Sequence, residues 1–157
     1  MGFMNTINII GSGLTAQQLR LDIVSENVTN SQTTRVENGE GAYRRKMVVF
    51  EAVSGRNSFR DALARATQGM TPTSNTEAPP VAGGVRVTEI VEDDSPMKIV
   101  YDPTHPDADE QGYVELPNVD MVLEIADAMA ASRAFASNVT AFNTLKSVIS
   151  SGLEIGR

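Results

Sequence analysis

One apolar series runs nearly unbroken through the last quarter of the chain. Met121, Ile125, Ala128, Phe135, Val139, Phe142, Ile149 and Leu153 step by four and three residues, with only Ser132 and Lys146 polar among them. Steps of 3.5 residues draw a narrow stripe along an α-helix, the seam of a coiled coil and not the broad face of a globular helix. Ala128, Ala130, Ala131, Ala134, Ala136 and Ala141 raise helix propensity and permit close helix approach. Asn118, directly after Pro117, is a suitable N-cap. A helix over 119–153 is about 50 Å long at 1.5 Å per residue, more than a domain of 157 residues can cover with its own core.

The N-terminus carries a second seam. Phe3, Ile7, Ile10, Leu14, Leu21, Val24 and Val28 follow the same four-three steps, with Gln17 as the polar member. Gly11 and Gly13 lie inside the pattern and cost it roughly 1 kcal/mol each relative to Ala. Such a helix is marginal alone. The expectation is that the two terminal helices bury their stripes against each other and against other chains, and fluctuate in a free monomer.

Between the seams, residues 35–118 have no sustained helical period. Tyr43 to Phe50 reads as a strand, Ser58 to Thr67 as a short helix, and Gly69 to Gly84, with Pro72, Pro79 and Pro80, as loop. Val85 to Val91 alternates with period two, and Lys98 to Tyr101 is read as its hairpin partner across Glu92-Asp93-Asp94-Ser95-Pro96. The fold class is therefore α+β, organised as an N-terminal helix in 1–34, a β-rich middle in 35–118 with the Pro/Gly/Thr-rich loop 69–84, and a C-terminal helix in 119–157.

Composition narrows the chemistry. Thirteen basic against twenty acidic residues leave a net charge of −7, which repels phosphate backbones and argues against a nucleic-acid partner. Cysteine is absent and His105 is the single histidine, so thiolate sites and two-imidazole mechanisms are excluded. No cofactor, metal, small-molecule substrate or enzymatic activity is expected. The first fourteen residues hold no basic residue and no long apolar core, so export, if it occurs, would not use a cleavable signal.

Three motifs invite sharper readings. Gly11-Ser12-Gly13-Leu14-Thr15-Ala16 spells a dinucleotide fingerprint, but the heptad runs straight through its glycines. Ser95-Pro96-Met97-Lys98 spells Ser-x-x-Lys, yet Pro96 and the strand-like residues after it spoil the helical geometry that motif needs. Asp102, His105, Asp107, Asp109 and Glu110 could form a metal or hydrolytic cluster, but Pro103 and Pro106 impose an extended path on which side chains diverge. Arg44, Arg45 and Lys46 are the one basic cluster, read either as solvated strand positions or as an intersubunit charge patch.

Several segments together resemble the flagellar axial protein family of rod and hook subunits. Ser12-Gly13-Leu14-Thr15-Ala16-Gln17-Gln18-Leu19 with Asn27, Asn30 and Thr33 is similar to its N-terminal signature. Tyr43-Arg44-Arg45-Lys46, Tyr101-Asp102-Pro103-Thr104-His105-Pro106, Ala131-Ser132-Arg133-Ala134-Phe135 and Leu153-Glu154-Ile155-Gly156 continue the likeness. Where family members usually carry Ala-Asn-Asn-Ile-Ala-Asn-Ala-Asn-Thr, this chain has Ser25-Glu26-Asn27-Val28-Thr29-Asn30-Ser31-Gln32-Thr33.

The resemblance implies a structural subunit of the proximal rod in the basal body, within the cell envelope, that transmits torque. It would pass through the flagellar type III export apparatus and pack with copies of itself, other rod proteins and the MS-ring junction protein. The residues expected to carry assembly are Ile7, Ile10, Leu14, Leu21, Val24, Asn27, Val28 and Asn30 on one helix. On the other they are Met121, Ile125, Arg133, Phe135, Val139, Phe142, Ile149 and Leu153. A stand-alone coiled-coil adaptor and a cell-wall hydrolase using the His105 region are the competing readings.

Overall fold

The computed structural model describes residues 3–36, 41–54 and 82–155. In chain order they form α1 (Phe3–Thr29), β1 (Lys46–Ser54), β2 (Ala82–Glu92), β3 (Lys98–Tyr101), β4 (Tyr113–Leu116) and α2 (Met121–Ile155). The α+β class and both terminal helices agree with the sequence. Gly11 and Gly13 sit inside α1, as the heptad requires and a dinucleotide-binding turn does not. The short helix expected over 58–67 lies outside the described residues.

The helices run antiparallel. Gly13 faces Asn138, Arg20 pairs with Asp127, and Asn27 bonds Glu124, so numbers rise along one helix as they fall along the other. Small residues set the approach: a Cβ on Gly13 would stand 3.0 Å from the Asn138 amide nitrogen, and Ala16 and Ala131 are buried. α2 begins later than Asn118 suggests. Asp120 is its cap, its Oδ1 accepting from Val122 N at 2.9 Å, because the Asn118 side chain is already bonded at both ends. Its Oδ1 accepts from Arg45 N at 2.8 Å while its Nδ2 donates to Asp93 O at 2.9 Å.

β1 and β2 form an antiparallel pair from Lys46↔Glu92 to Ser54↔Ala82, with register irregularities between Val49 and Phe50 and between Ala52 and Ser54. Both strands lie against α1. The strand read over 43–50 thus starts at Lys46 and continues to Ser54, and β2 already includes Gly83 and Gly84. The expected hairpin between 85–91 and 98–101 is not formed. β3 pairs with β4 instead, from Lys98↔Leu116 to Tyr101↔Tyr113. The turn chemistry explains the change of partner. Asp93 N still reaches Arg45 O at 2.8 Å, but the Asp93 carboxylate then takes Ser95 N and Ser95 Oγ at 2.9 and 2.7 Å. That Asx turn, followed by Pro96 with no N–H to donate, swings the chain off the β1–β2 ladder.

α1 is tied to the sheet by a side chain within the helix. Ser12 Oγ donates to Ile9 O at 2.7 Å and accepts from Val85 N at 3.1 Å. The strand can approach so closely because residue 84 is glycine. Its φ is +93°, and a Cβ there would lie 2.3 Å from Ser12 Oγ. Gly84→Ala is therefore expected to lower unfolding stability by roughly 1–3 kcal/mol in urea denaturation. Gly11→Ala, which meets nothing within 4 Å, should instead raise it by up to about 1 kcal/mol.

Candidate assembly site

Where α1 ends and β1 begins, a buried polar hub joins three elements. Glu124 is 0% exposed and Asn27 is 1% exposed. Glu124 Oε1 accepts from Arg45 Nε at 2.6 Å, and its Oε2 accepts from Asn27 Nδ2 at 3.0 Å. Asn27 Oδ1 accepts from Tyr43 OH and Lys46 N, both at 2.9 Å, while Nδ2 also donates to Lys46 O at 2.9 Å. The Asn27 amide thus mimics a strand partner for β1 from a helix. Arg45 also lies 3.6 Å from Asp93, and Lys46 Nζ pairs with Glu26 at 2.6 Å.

Electrostatics follow from this packing. Burial, then the charges of Glu26, Glu124 and Glu92, pushes the Tyr43 hydroxyl well above its ordinary range, so it remains a donor to Asn27. Burial alone would lower the pKa of Arg45, but the hydrogen bond and charge of Glu124, with Asp93 and Asp127, hold it above its usual value. Two of the three residues read as an intersubunit charge patch therefore pair inside the chain. Arg44 is the exposed member, with one long contact of 3.4 Å to Asp93 O.

The predicted assembly residues divide into distinct groups. Asn27 is buried in the hub, and Asn30 closes α1, its N and Nδ2 each donating to Glu26 O at 3.0 Å. Val24 is buried, and Ile7, Ile10, Leu14, Leu21 and Val28 are half-buried along α1. On α2, Phe135 and Ile149 are half-buried, whereas Met121, Ile125, Arg133, Val139, Phe142 and Leu153 are exposed. Ile125 is 50% and Leu153 is 72% exposed. The face of α2 turned to α1 is a different stripe: Glu124, Asp127, Ala131 and Asn138. Small and polar residues meet between the helices, and the bulky stripe is displaced to their flank.

That flank is an open groove of about 670 Å³ along the helix pair. Leu21, Val24, Val28, Ile125, Ala128 and Met129 line it, with Ser25, Thr29, Ser132 and Arg133 at its polar margin. Part of each stripe predicted from sequence meets on this surface: Leu21, Val24 and Val28 from α1, and Ile125 and Ala128 from α2. The hub was not anticipated, although an acidic residue interrupting an Ala-rich helix at Glu124, three before Asp127, is the signal that marks it.

The Asp102–Glu110 segment has no catalytic arrangement. Asp102 Oδ1 accepts from Thr104 N and Oγ1 at 3.0 and 2.6 Å, and His105 Nδ1 accepts from Asp107 N at 3.1 Å. Asp107 binds Thr34 Oγ1 at 2.8 Å and Arg35 at 3.2 Å. Asp109 Oδ1 accepts from Gln111 N and Tyr113 N, each at 2.8 Å. The bonds of Asp102, His105 and Asp109 are local turn bonds, and Asp107 ties the loop to the segment after α1. Among the described residues no three His, Cys, Asp or Glu side chains gather as a metal site, and no helix is long and apolar enough to cross a membrane.

Comparison with known proteins matches both helices. Residues 7–35 fit the flagella basal body rod protein family, and residues 110–155 fit the C-terminal region of the flagellar basal body rod FlgEFG proteins. The flagellar basal-body rod protein FlgC of Bacillus subtilis is 42% identical over 160 residues, covering 100% of both chains. The chain belongs to the FlgC family of flagellar basal-body rod proteins. FlgC of Borreliella burgdorferi is 40% identical over 99% of this chain and 98% of its own, and FlgC of Escherichia coli O157:H7 is 35% identical over the full length of both. Like its FlgC relatives, the chain is a structural rod protein and not an enzyme; neither the adaptor nor the hydrolase reading finds support. Both family matches cover the groove-lining helices, while the hub adds Tyr43 and Arg45 from the segment between them.

Removing one partner of the hub strands the other. Arg45→Leu, which leaves the buried Glu124 with its Asn27 hydrogen bond but without a cation, should cost about 3 kcal/mol or more in denaturant unfolding. Arg20→Ala breaks a pair whose members are 33% and 26% exposed, and should cost under about 1 kcal/mol. Ser95, through its hydroxyl and backbone N–H, also holds the Asp93 carboxyl below its usual value. Because that pKa is depressed, the stabilisation is complete above the ordinary Asp value of about 3.9 and is lost only as pH falls through the lower folded value. An acid titration of stability should show this loss, and Asp93→Asn should remove it.

Proposed function

We propose that this FlgC-family chain enters the proximal rod through the flank groove of its helix pair. The helices of neighbouring rod subunits close over Leu21, Val28, Ile125 and Met129. The observation that carries this reading is that Leu21, Val24 and Val28 of one seam meet Ile125 and Ala128 of the other on one open apolar surface, beside the polar hub. A surface repeated on every subunit and filled by a different surface of the next gives a heterologous, open-ended assembly, the geometry of a shaft. Torque then passes through many such contacts in parallel. The partners are other rod subunits, copies of this chain and the junction protein at the MS ring, reached after passage through the type III export apparatus. The β-rich middle, packed against α1, takes the outer position.

Leu21→Arg and Ile125→Arg place a charge in the groove without touching the hub. Each should leave the far-UV circular dichroism and unfolding midpoint of the purified chain nearly unchanged, abolish swimming, and leave the chain missing from isolated basal bodies. Normal motility in both variants would overturn the reading.

A further inference from the structure

The carboxylates of this chain are unevenly placed. All twenty fall outside residues 1–21 and 128–153, so the half of the helix pair remote from the hub holds none. In a chain of net charge −7, that half keeps Arg133 and Lys146, both exposed. Arg133 stands at the polar margin of the groove, but Lys146 sits within the apolar stripe itself, between Phe142 and Ile149.

No carboxylate of either helix comes within reach of Lys146. Along α2 the nearest are Asp127, nineteen residues back, and Glu154, eight on, whereas helical side chains meet at spacings of three or four. Gly13 faces Asn138, so the α1 residues opposite the rest of α2 precede Gly13, and they carry no acid. The sheet leads its acids away: β2 meets Ser12 at Val85 and runs to Glu92 opposite Lys46, and Glu51 is held by Arg86.

The stripe around Lys146 is uncovered. Val139, Phe142 and Leu153 are exposed and Ile149 is half-buried, over about 21 Å of helix from 139 to 153. A straight apolar flank of this kind is matched by another helix. Covering it with a purely apolar surface would strip water from an unpaired ammonium, so the occupant has to supply a carboxylate. A second copy does not, because the polar members of its own two stripes are Gln17, Ser132 and Lys146 again. Its other helical carboxylates are spent internally: Asp22 on Gln18, Glu26 on Lys46, Glu124 on Arg45, Asp127 on Arg20, and Asp120 on the cap of α2. Glu154 follows Leu153 by one residue and so projects about 100° away from the stripe.

We propose that the flank of α2 from Val139 to Leu153 docks an amphipathic helix of a different protein, one whose apolar stripe carries an Asp or Glu that pairs with Lys146. The inference rests on the exposed stripe being an assembly surface and names its neighbour beyond the groove. Lys146 attracts such a helix and repels the same stripe of a second copy, so one residue selects the neighbour.

The test uses the full chain in intact basal bodies, with photoreactive benzoylphenylalanine in place of Phe142 and mass spectrometry of the crosslinked peptides. The expected product joins position 142 to a helix of a different protein, within about one turn of an Asp or Glu. Lys146→Glu should lower its yield at least about fivefold, with Lys146→Arg retaining most of it. Changing the partner's carboxylate to Lys should then restore the yield in the Lys146→Glu chain, including where that variant alone is kept out of basal bodies. Crosslinks to a second copy, within the same chain, or to a segment without a carboxylate would overturn the proposal. So would the absence of any protein product, a yield indifferent to Lys146→Glu, or a charge swap that restores nothing. The groove reading is judged separately: it falls if the Leu21→Arg and Ile125→Arg strains swim normally, whatever position 142 reaches.

Discussion

The buried contact of Glu124 with Asn27 and Arg45 determines which way the helices face. A carboxylate at 0% exposure can be held only where every oxygen is bonded and a cation lies beside it. Those partners come from α1 and from the residue just before β1, so satisfying Glu124 locks α2 into one rotation about its axis. Asn27 contributes twice, since the same amide that holds Glu124 also bonds both backbone groups of Lys46. Slipping either helix by one residue would break the set at once. Apolar packing alone, between small residues such as Ala16 and Ala131, would tolerate such a slip far better.

Once the rotation is fixed, the bulky stripe has nowhere to go but outward. An ordinary two-helix pair places Leu, Ile and Phe between its helices and small polar residues outside. Here Gly13, Ala131 and Asn138 occupy the interface, while Ile125, Met129, Phe142 and Leu153 are left on the surface. That costs a free molecule stability, because exposed apolar area returns little. It suits a subunit whose stripe is covered by others, which is what we propose for this member of the FlgC family of rod proteins.

Much of this is legible in the sequence. The four-three spacing identified both helices, period-two alternation located β2, and the short apolar runs near 43–50 and 98–101 located β1 and β3. Pairing partners were not legible, because whether β3 pairs with β2 or with β4 turns on the Asx bond of Asp93 to Ser95. That is a side-chain contact no hydrophobic period reports. The seam residues were found, but not which side of the helix meets its partner. Bulk and hydrophobicity favour Ile125 for that role, yet it is 50% exposed while its neighbour Glu124 is turned inward and fully buried. Asn27 shows the same limit: its place in the N-terminal signature suggested assembly, whereas its side chain is consumed inside the chain. His105 and its acidic neighbours resemble a site on paper because turn-forming residues and metal ligands are drawn from the same chemical types.

The hub fixes a helix pair whose outer surface, we propose, is completed only by neighbours. Amide hydrogen exchange, compared between a verified dilute monomer and assembled rods, tests it most directly. Slow exchange is expected around Asn27, Lys46 and Glu124 in both states, with the stretch of α2 beyond Val139 becoming protected only on assembly. Equal, strong protection of that stretch in the monomer would contradict it.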